Sequence, residues 1–168
     1  MELFDINHAN NLAKGHDLKV KLKKNFKGVS LYARKPIKNG GIIAYYKFIV
    51  KKNDDNFQGV KNNMYNITVY SKNGRARDSL IGDIFKGSMA PPKYNIPFWA
   101  YFSNEPSKGQ KENSRIDTNL KINYKNREKV KPNDTMVYKL IATKNIKAGE
   151  EITWCYGEEY ERNYEAEC

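Results

Sequence analysis

Tyr156 has the residue type and the surroundings expected of a reactive group. It closes an apolar run that also contains Ile152 and Trp154, and Gly157 ends that run. Apolar residues at 137–143, before the glycine turn at residues 147–150, predict two short strands joined by that turn. Trp154 shares the Tyr156 face of an extended segment. The end of a packed strand can therefore present one phenol to a pocket as a hydrogen-bonding group.

Two earlier segments complete the pattern. Residues 28–46 predict strand, glycine-rich turn and strand, and residues 99–106 read Trp-Ala-Tyr-Phe-Ser-Asn-Glu-Pro, with Asn113 downstream. In this order, the three blocks resemble the SET domain, the fold of S-adenosylmethionine-dependent lysine methyltransferases. The resemblance covers about residues 18–160. It implies a single β-rich domain over residues 1–168, with short sheets, few short helices and a C-terminal pseudoknot.

The last block carries most of the resemblance. The family pattern A-x-x-x-I-x-x-G-E-E-L-x-x-x-Y-G is matched by Ala142, Ile146, Gly149, Glu150, Glu151, Ile152, Tyr156 and Gly157. In the first block Gly28 and Tyr45 match, while Ser30 replaces a glycine. In the middle block Phe102 and Asn104 match, whereas Glu105-Pro106 replaces His-Ser and Tyr101 replaces an arginine.

The resemblance assigns roles to individual residues. Tyr156 would orient the attacking amine, and Tyr45 would line the channel as a second catalytic-site residue. The cofactor S-adenosylmethionine would be bound by Lys27, Gly28, Val29, Ser30, Tyr45, Phe102, Asn104, Glu105, Trp154 and Tyr156. The substrate would be contacted by Tyr160, Glu158 and Glu159.

The departures from the family pattern carry expectations of their own. Ser30 should widen the first turn or shift the ligand. Glu105 should alter cofactor affinity, and the missing serine after it should loosen the pseudoknot. Asn113 is a candidate for a later family asparagine, with a structural turn as the equal alternative.

Period-two patterns and turn residues also predict the remaining elements independently of the resemblance. Strands are expected at residues 17–24, 31–32, 42–50, 65–70, 79–85 and 116–124. A polar loop is expected at residues 53–63 and an irregular proline-containing segment at residues 87–97. Many short strands with Gly, Pro and Asn turns favour a β-rich fold.

Composition narrows the class of protein. The 168-residue chain is 39% hydrophobic, which suits one globular domain. No apolar run reaches the roughly 18 residues that a membrane span needs, and the first residues lack the pattern of a signal peptide. Cys155 and Cys168 with two distant histidines predict no metal site, no disulfide and a reducing intracellular compartment, nucleus or cytoplasm. Cys155 itself is expected to be a small buried apolar residue.

The net charge of +11 is unevenly distributed. Seven acids and one base give residues 150–168 a charge of −6, which leaves +17 on residues 1–149. A solvated surface is the simplest interpretation. The functional alternative is an acidic lip that attracts a basic peptide, such as a histone tail, and a basic remainder that faces nucleosomal DNA.

Three functions remain open from the sequence. The first is a lysine methyltransferase, and the second is a SET-like binding module that has lost catalysis through Ser30 and Glu105. The third is a small basic nucleic-acid-binding protein whose aromatic side chains stack on bases. The retention of Tyr156 favours the first, and the oligomeric state, a homodimer included, is left open.

Overall fold

The computed structural model describes residues 5–52, 66–70, 76–83, 92–117, 133, 135–157 and 162–168. Within these residues the elements are α1 (Ile6–Gly15), β1 (Val20–Asn25), β2 (Gly28–Ala33), β3 (Ile42–Lys52), β4 (Asn66–Tyr70), β5 (Ala76–Asp83), a 3-10 turn (Ala100–Phe102), β6 (Ser114–Asp117) and β7 (Thr135–Ala142). The predominance of strands confirms the predicted β-rich fold. Among these residues, no helix has the length and apolar character needed to cross a membrane.

The strands form two antiparallel sheets. One has five strands in the order β4-β5-β3-β7-β6. The other is the β1–β2 hairpin, in which Asn25 pairs with Gly28 across a two-residue turn. Burial alternates along β1, where Val20 and Leu22 are buried and the intervening lysine is partly exposed. This alternation is the one that the sequence predicted.

Most predicted strand positions agree with the structure. The strands expected at residues 17–24, 31–32, 42–50, 65–70 and 137–143 overlap β1, β2, β3, β4 and β7. β5 begins at Ala76, earlier than predicted, and β6 covers only the start of the strand expected at residues 116–124. Residues 118–124, the predicted loop at 53–63 and residues 87–91 lie outside the described residues.

The second of the two strands predicted for the last block is not a regular strand. Residues 151–154 form an extended segment that pairs through single bridges, Tyr32 with Glu151 and Asn104 with Thr153. The Ile152 amide donates to the Leu31 carbonyl at 2.8 Å on one side. Each neighbour contacts the segment over too few residues to build a regular strand. This crossing between the hairpin and the middle block is the arrangement expected of the C-terminal pseudoknot.

Helix α1 was not predicted from the sequence. The Asp5 side chain accepts a hydrogen bond from the Asn7 amide at 2.9 Å and caps its first turn. Its buried residues are Ala9 and Ala13, four positions apart, so its apolar face is narrow. The side chain of Asn10 then bonds both backbone groups of Leu22, at 3.0 and 3.1 Å. The helix is therefore fixed to β1 mainly by tertiary contacts, which a short polar sequence does not reveal.

Candidate functional site

Both ends of Tyr156 are fixed by the middle block. Its hydroxyl group donates a hydrogen bond to the Ser103 carbonyl oxygen at 2.9 Å. Its backbone amide donates to the Glu105 carboxylate, also at 2.9 Å. The side chain is partly buried. Because a phenol oxygen can accept while its proton is donated, the hydroxyl can still accept a hydrogen bond from a ligand.

Ser103 is placed at this position by the 3-10 turn before it. The Ser103 amide donates to the Ala100 carbonyl at 3.0 Å, which ends the turn. The Ser103 hydroxyl donates to the carbonyl of Ile152 at 3.0 Å, and the side chain is fully buried. The Ser103 carbonyl that holds Tyr156 is thus fixed to the chain segment that leads to Tyr156.

A row of aromatic rings extends from Tyr156 into the core. The Trp154 and Tyr156 ring centroids are 4.9 Å apart, as expected from their shared face, and those of Tyr46 and Trp154 are 6.1 Å apart. Burial raises the pKa of the Tyr46 phenol well above its usual range, so that group is neutral. Among the described residues, the Trp154 indole nitrogen is the buried side-chain polar atom without a hydrogen-bond partner. The Tyr46 phenol lies nearby but does not meet hydrogen-bond geometry.

Tyr45 packs differently from its neighbour. Its ring lies 5.4 Å from that of Phe98, and its amide donates to the Pro97 carbonyl at 2.9 Å. Successive side chains of β3 point to opposite faces, and the buried Tyr46 belongs to the aromatic row. Ala44, Tyr46 and Phe48 are buried at alternate positions of β3 and mark the face of the strand that packs into the core. The role assigned to Tyr45 in a substrate channel stays a prediction.

The turn of the β1–β2 hairpin lies against Asn104. The Asn104 amide nitrogen donates to the Ser30 hydroxyl at 2.7 Å and to the Val29 carbonyl at 3.3 Å. The buried Ser30 hydroxyl in turn donates to the Asn25 side chain at 3.0 Å. Gly28 has φ +101°, and a Cβ atom there would meet open space. Ser30 therefore joins the hairpin to the middle block, a role that the sequence did not predict.

Lys27 ties three segments together. Its ammonium group donates to the Glu105 carbonyl at 2.9 Å and to the Gln110 side chain at 3.0 Å, and it forms a salt bridge with Glu151 at 3.2 Å. The Lys27 and Glu151 side chains are only 13% and 7% exposed. This lysine thus has several protein partners at the edge of the predicted cofactor site.

Glu105 holds the C-terminal segment. Its side chain is fully buried, and Arg162 donates two hydrogen bonds to it, each at 2.6 Å. The Tyr164 hydroxyl donates to the same carboxylate at 2.8 Å. Burial opposes ionisation, but the hydrogen bonds from Arg162, the Tyr156 amide and Tyr164 hold the pKa of the Glu105 carboxyl below its usual range. Glu105 therefore fastens the segment after Tyr156 to the middle block.

Asn113 acts as a substitute for backbone pairing. It is buried, and its side chain accepts from the Thr153 amide at 3.0 Å and donates to the Glu151 carbonyl at 2.8 Å. The Ser114 hydroxyl donates to the Thr153 carbonyl at 2.7 Å. These contacts hold the extended segment from the side opposite Asn104.

The predictions that the cysteines form no disulfide and that Cys155 is buried were wrong. Cys155 and Cys168 form a disulfide, and Cys155 is partly exposed rather than a buried apolar residue. The bonds between Arg162 and Glu105 bring the end of the chain back beside Tyr156. The sequence gives no sign of this reversal in chain direction. One group of potential metal ligands occurs among the described residues, Glu105, Cys155 and Cys168. Its thiols are joined and its carboxylate is bonded to Arg162, so these donors do not fit a metal ion as arranged.

The structure thus brings together most of the predicted cofactor residues. Contacts join Lys27, Val29, Ser30, Asn104, Glu105, Trp154 and Tyr156 into one connected region. Phe102 lies beside it, buried, with its ring against Tyr101 at 5.0 Å. The predicted substrate residues Glu158, Glu159 and Tyr160 lie outside the described residues.

We compared the chain with known protein families and known proteins. The family model of the SET domain matches residues 28–157. No curated protein sequence matches the chain significantly.

The chain also matches a number of solved structures, including the following three. A chain of the polycomb repressive complex 2 of Chaetomium thermophilum is 18% identical, with a TM-score of 0.52; the match covers 85% of this chain and 16% of that one. A candidate histone methyltransferase of Plasmodium falciparum is 17% identical, with a TM-score of 0.47, over 85% of this chain and 96% of that one. The methyltransferase domain of human PR domain-containing protein 2 is 22% identical, with a TM-score of 0.43, over 90% and 86%.

Proposed function

Because this chain belongs to the SET domain family, we propose that it is an S-adenosylmethionine-dependent methyltransferase that acts on a lysine of a basic protein. The observation that carries the proposal is the fixation of Tyr156, whose hydroxyl donates to the Ser103 carbonyl at 2.9 Å. This bond fixes the direction of the hydroxyl proton. A phenol oxygen that donates its proton can also accept, which is the role proposed for it toward a substrate amine.

The residues around the hairpin turn suit the proposed cofactor. Gly28 leaves open space where a side chain would stand, and Asn104 lies against Val29 and Ser30. Gly28, Val29, Asn104 and the backbone of Glu105 would hold the cofactor, which when bound supplies an electrophilic methyl group on a sulfonium cation.

The substrate amine must lose a proton before it attacks. With a reference pKa near 10.4, this costs about 4–5 kcal/mol at neutral pH. Desolvation beside the rings of Tyr46, Trp154 and Tyr156 disfavours the ammonium form, as does a neighbouring cation. The Tyr156 oxygen then accepts an N–H of the neutral amine and aligns its lone pair for in-line displacement.

The proposed substrate follows from the uneven distribution of charge along the chain. An acidic lip that includes Glu158 and Glu159, with Tyr160 beside it, would attract a lysine-rich peptide such as a histone tail, while the basic remainder would face nucleosomal DNA. Nucleus or cytoplasm stays the proposed location. The disulfide removes the cysteine-based reason for a reducing compartment.

Binding of the cofactor product tests the proposal directly. Calorimetry with S-adenosylhomocysteine should give a saturable one-to-one isotherm, and mass spectrometry should detect a methylated lysine in a histone-tail peptide incubated with S-adenosylmethionine. A folded protein that gives no heat at millimolar S-adenosylhomocysteine would contradict the proposal. Binding without transfer to any basic peptide or protein would favour the alternative of a SET-like binding module.

A further inference from the structure

We propose that Glu105, through its ion pair with Arg162, is a positioning residue for Tyr156. The inference rests on the proposed methyl transfer, because it concerns the residue that aligns the amine there. The Glu105 side chain acts on the main chain of Tyr156 and not on a substrate. Its contacts carry the inference.

The ion pair holds the main chain on both sides of Tyr156. The Glu105 carboxylate accepts the Tyr156 amide hydrogen at 2.9 Å. Arg162, which donates twice to that carboxylate, also donates to the Gly157 carbonyl at 2.9 Å. The Tyr156 amide and the Gly157 carbonyl are therefore both bound to the Glu105–Arg162 ion pair.

The segment that contains Glu105 also holds the hydroxyl end of the Tyr156 side chain. The Ser103 carbonyl, two residues before Glu105, accepts the Tyr156 hydroxyl at 2.9 Å. A displacement of the main chain at Tyr156 therefore pulls the hydroxyl away from this carbonyl. Because the proposed reaction depends on alignment, a shift of about 1 Å can lower the rate on the order of a hundredfold.

The charge of Glu105 is what keeps this arrangement rigid. Its side chain is fully buried, whereas that of Arg162 is 21% exposed. Two parallel hydrogen bonds between a guanidinium and a carboxylate fix the orientation as well as the distance. A glutamine in place of Glu105 keeps the size and one acceptor for the Tyr156 amide, but it loses the paired contact with Arg162.

The test compares Glu105→Gln, Arg162→Lys and the wild-type protein. We expect Glu105→Gln to lower kcat by about 10- to 100-fold, because Tyr156 is misplaced, while the KM for a histone-tail peptide changes less than threefold. Arg162→Lys retains the positive charge but cannot make two parallel hydrogen bonds to Glu105. Its kcat should therefore lie between those of the wild type and Glu105→Gln. Asp17→Asn, which removes an exposed ion pair with Arg34 and Lys35, is the control and should leave kcat unchanged.

A second measurement does not depend on activity. Hydrogen exchange of the Tyr156 amide, followed by NMR on protein labelled with 15N-tyrosine, should be slow in the wild type and at least tenfold faster in Glu105→Gln. If Glu105→Gln fails to fold, Arg162→Lys supplies both measurements.

The outcomes separate this inference from the proposed function. An active wild type with unchanged kcat in both variants would overturn the inference and leave the function standing. A rise in KM with unchanged kcat would also overturn it, because the segment would then serve peptide binding. A wild type that binds no S-adenosylhomocysteine would remove the function, and with it the positioning role, whatever the exchange rates.

Discussion

Lys27 and Glu151 form a salt bridge of 3.2 Å that joins the turn of the β1–β2 hairpin to the extended segment before Tyr156. Asn25 and Gln110 also donate to the Glu151 carboxylate, at 3.2 and 2.9 Å. The second glutamate of the Gly-Glu-Glu sequence therefore has a structural role. It connects the two parts of the chain that would enclose the cofactor.

Glu151→Ala should destabilise the protein strongly. Removal of the carboxylate leaves the largely buried Lys27 ammonium without its charge partner, and loss of one partner of a buried pair costs about 3 kcal/mol or more. Urea unfolding followed by circular dichroism measures the change. Glu150→Ala is the matched control, because the neighbouring Glu150 is exposed and its loss should cost less than about 0.5 kcal/mol. Equal losses in the two variants would contradict the role given to Glu151.

Tyr156→Phe should separate catalysis from folding. The ring still packs against Trp154, so S-adenosylhomocysteine affinity should stay close to wild type, and loss of the bond to the Ser103 carbonyl should cost only about 1–3 kcal/mol of stability. We expect kcat to fall by about a hundredfold or more, since an oriented polar group at a reacting centre contributes roughly 3–4 kcal/mol. Steady-state kinetics on a histone-tail peptide measures this, with the exposed Tyr94→Phe as the control. Wild-type turnover in Tyr156→Phe would assign the chemistry to another residue.

The depressed pKa of Glu105 predicts an acid-sensitive structure. A carboxyl group whose native pKa lies below its ordinary value of 4.5 stabilises the fold fully above that value. The contribution is lost as the pH falls through the lower native pKa. Urea midpoints measured from pH 7 to pH 3 should therefore decline below about pH 4.5, and less steeply in Glu105→Gln. Parallel curves for the two proteins would show that Glu105 does not contribute.

The disulfide should stabilise the return of the chain after Tyr156. Closing a loop of similar length, with a sequence separation of 13 residues, contributes about 3 kcal/mol in the loop-entropy description. Reduction, or Cys168→Ser, should lower the free energy of unfolding and speed hydrogen exchange of residues 162–168. The double variant Cys155→Ser, Cys168→Ser should match the reduced wild type and be insensitive to reductant. An unchanged unfolding midpoint after complete reduction would contradict this expectation.

The sequence predicted well what depends on local pattern. The alternation of Leu18, Val20 and Leu22 with polar residues predicted β1, and the spacing of Trp154 and Tyr156 predicted their contact, because strand geometry fixes which side chains share a face. The same geometry shows that Tyr45 and Tyr46 face opposite ways. Tyr46 is identified as the inner residue only by the burial of Ala44 and Phe48, which lie on the same face of β3.

The sequence could not predict contacts that depend on how distant segments meet. Glu105 and Arg162 are 57 positions apart, and nothing in either neighbourhood shows that one carboxylate receives both the guanidinium and the Tyr156 amide. The disulfide follows from the same return of the chain, which brings Cys168 to Cys155. A cysteine count alone therefore gave the wrong expectation.

The buried Glu105–Arg162 pair also restricts how this protein can evolve. Removing the charge of either residue alone leaves its partner uncompensated at a cost of about 3–5 kcal/mol, a large share of the roughly 5–15 kcal/mol that holds a domain folded. An exchange of Glu105 for the histidine of the family pattern is therefore disfavoured while Arg162 is present. Positions 105 and 162 should change together among descendants of this sequence, or not at all.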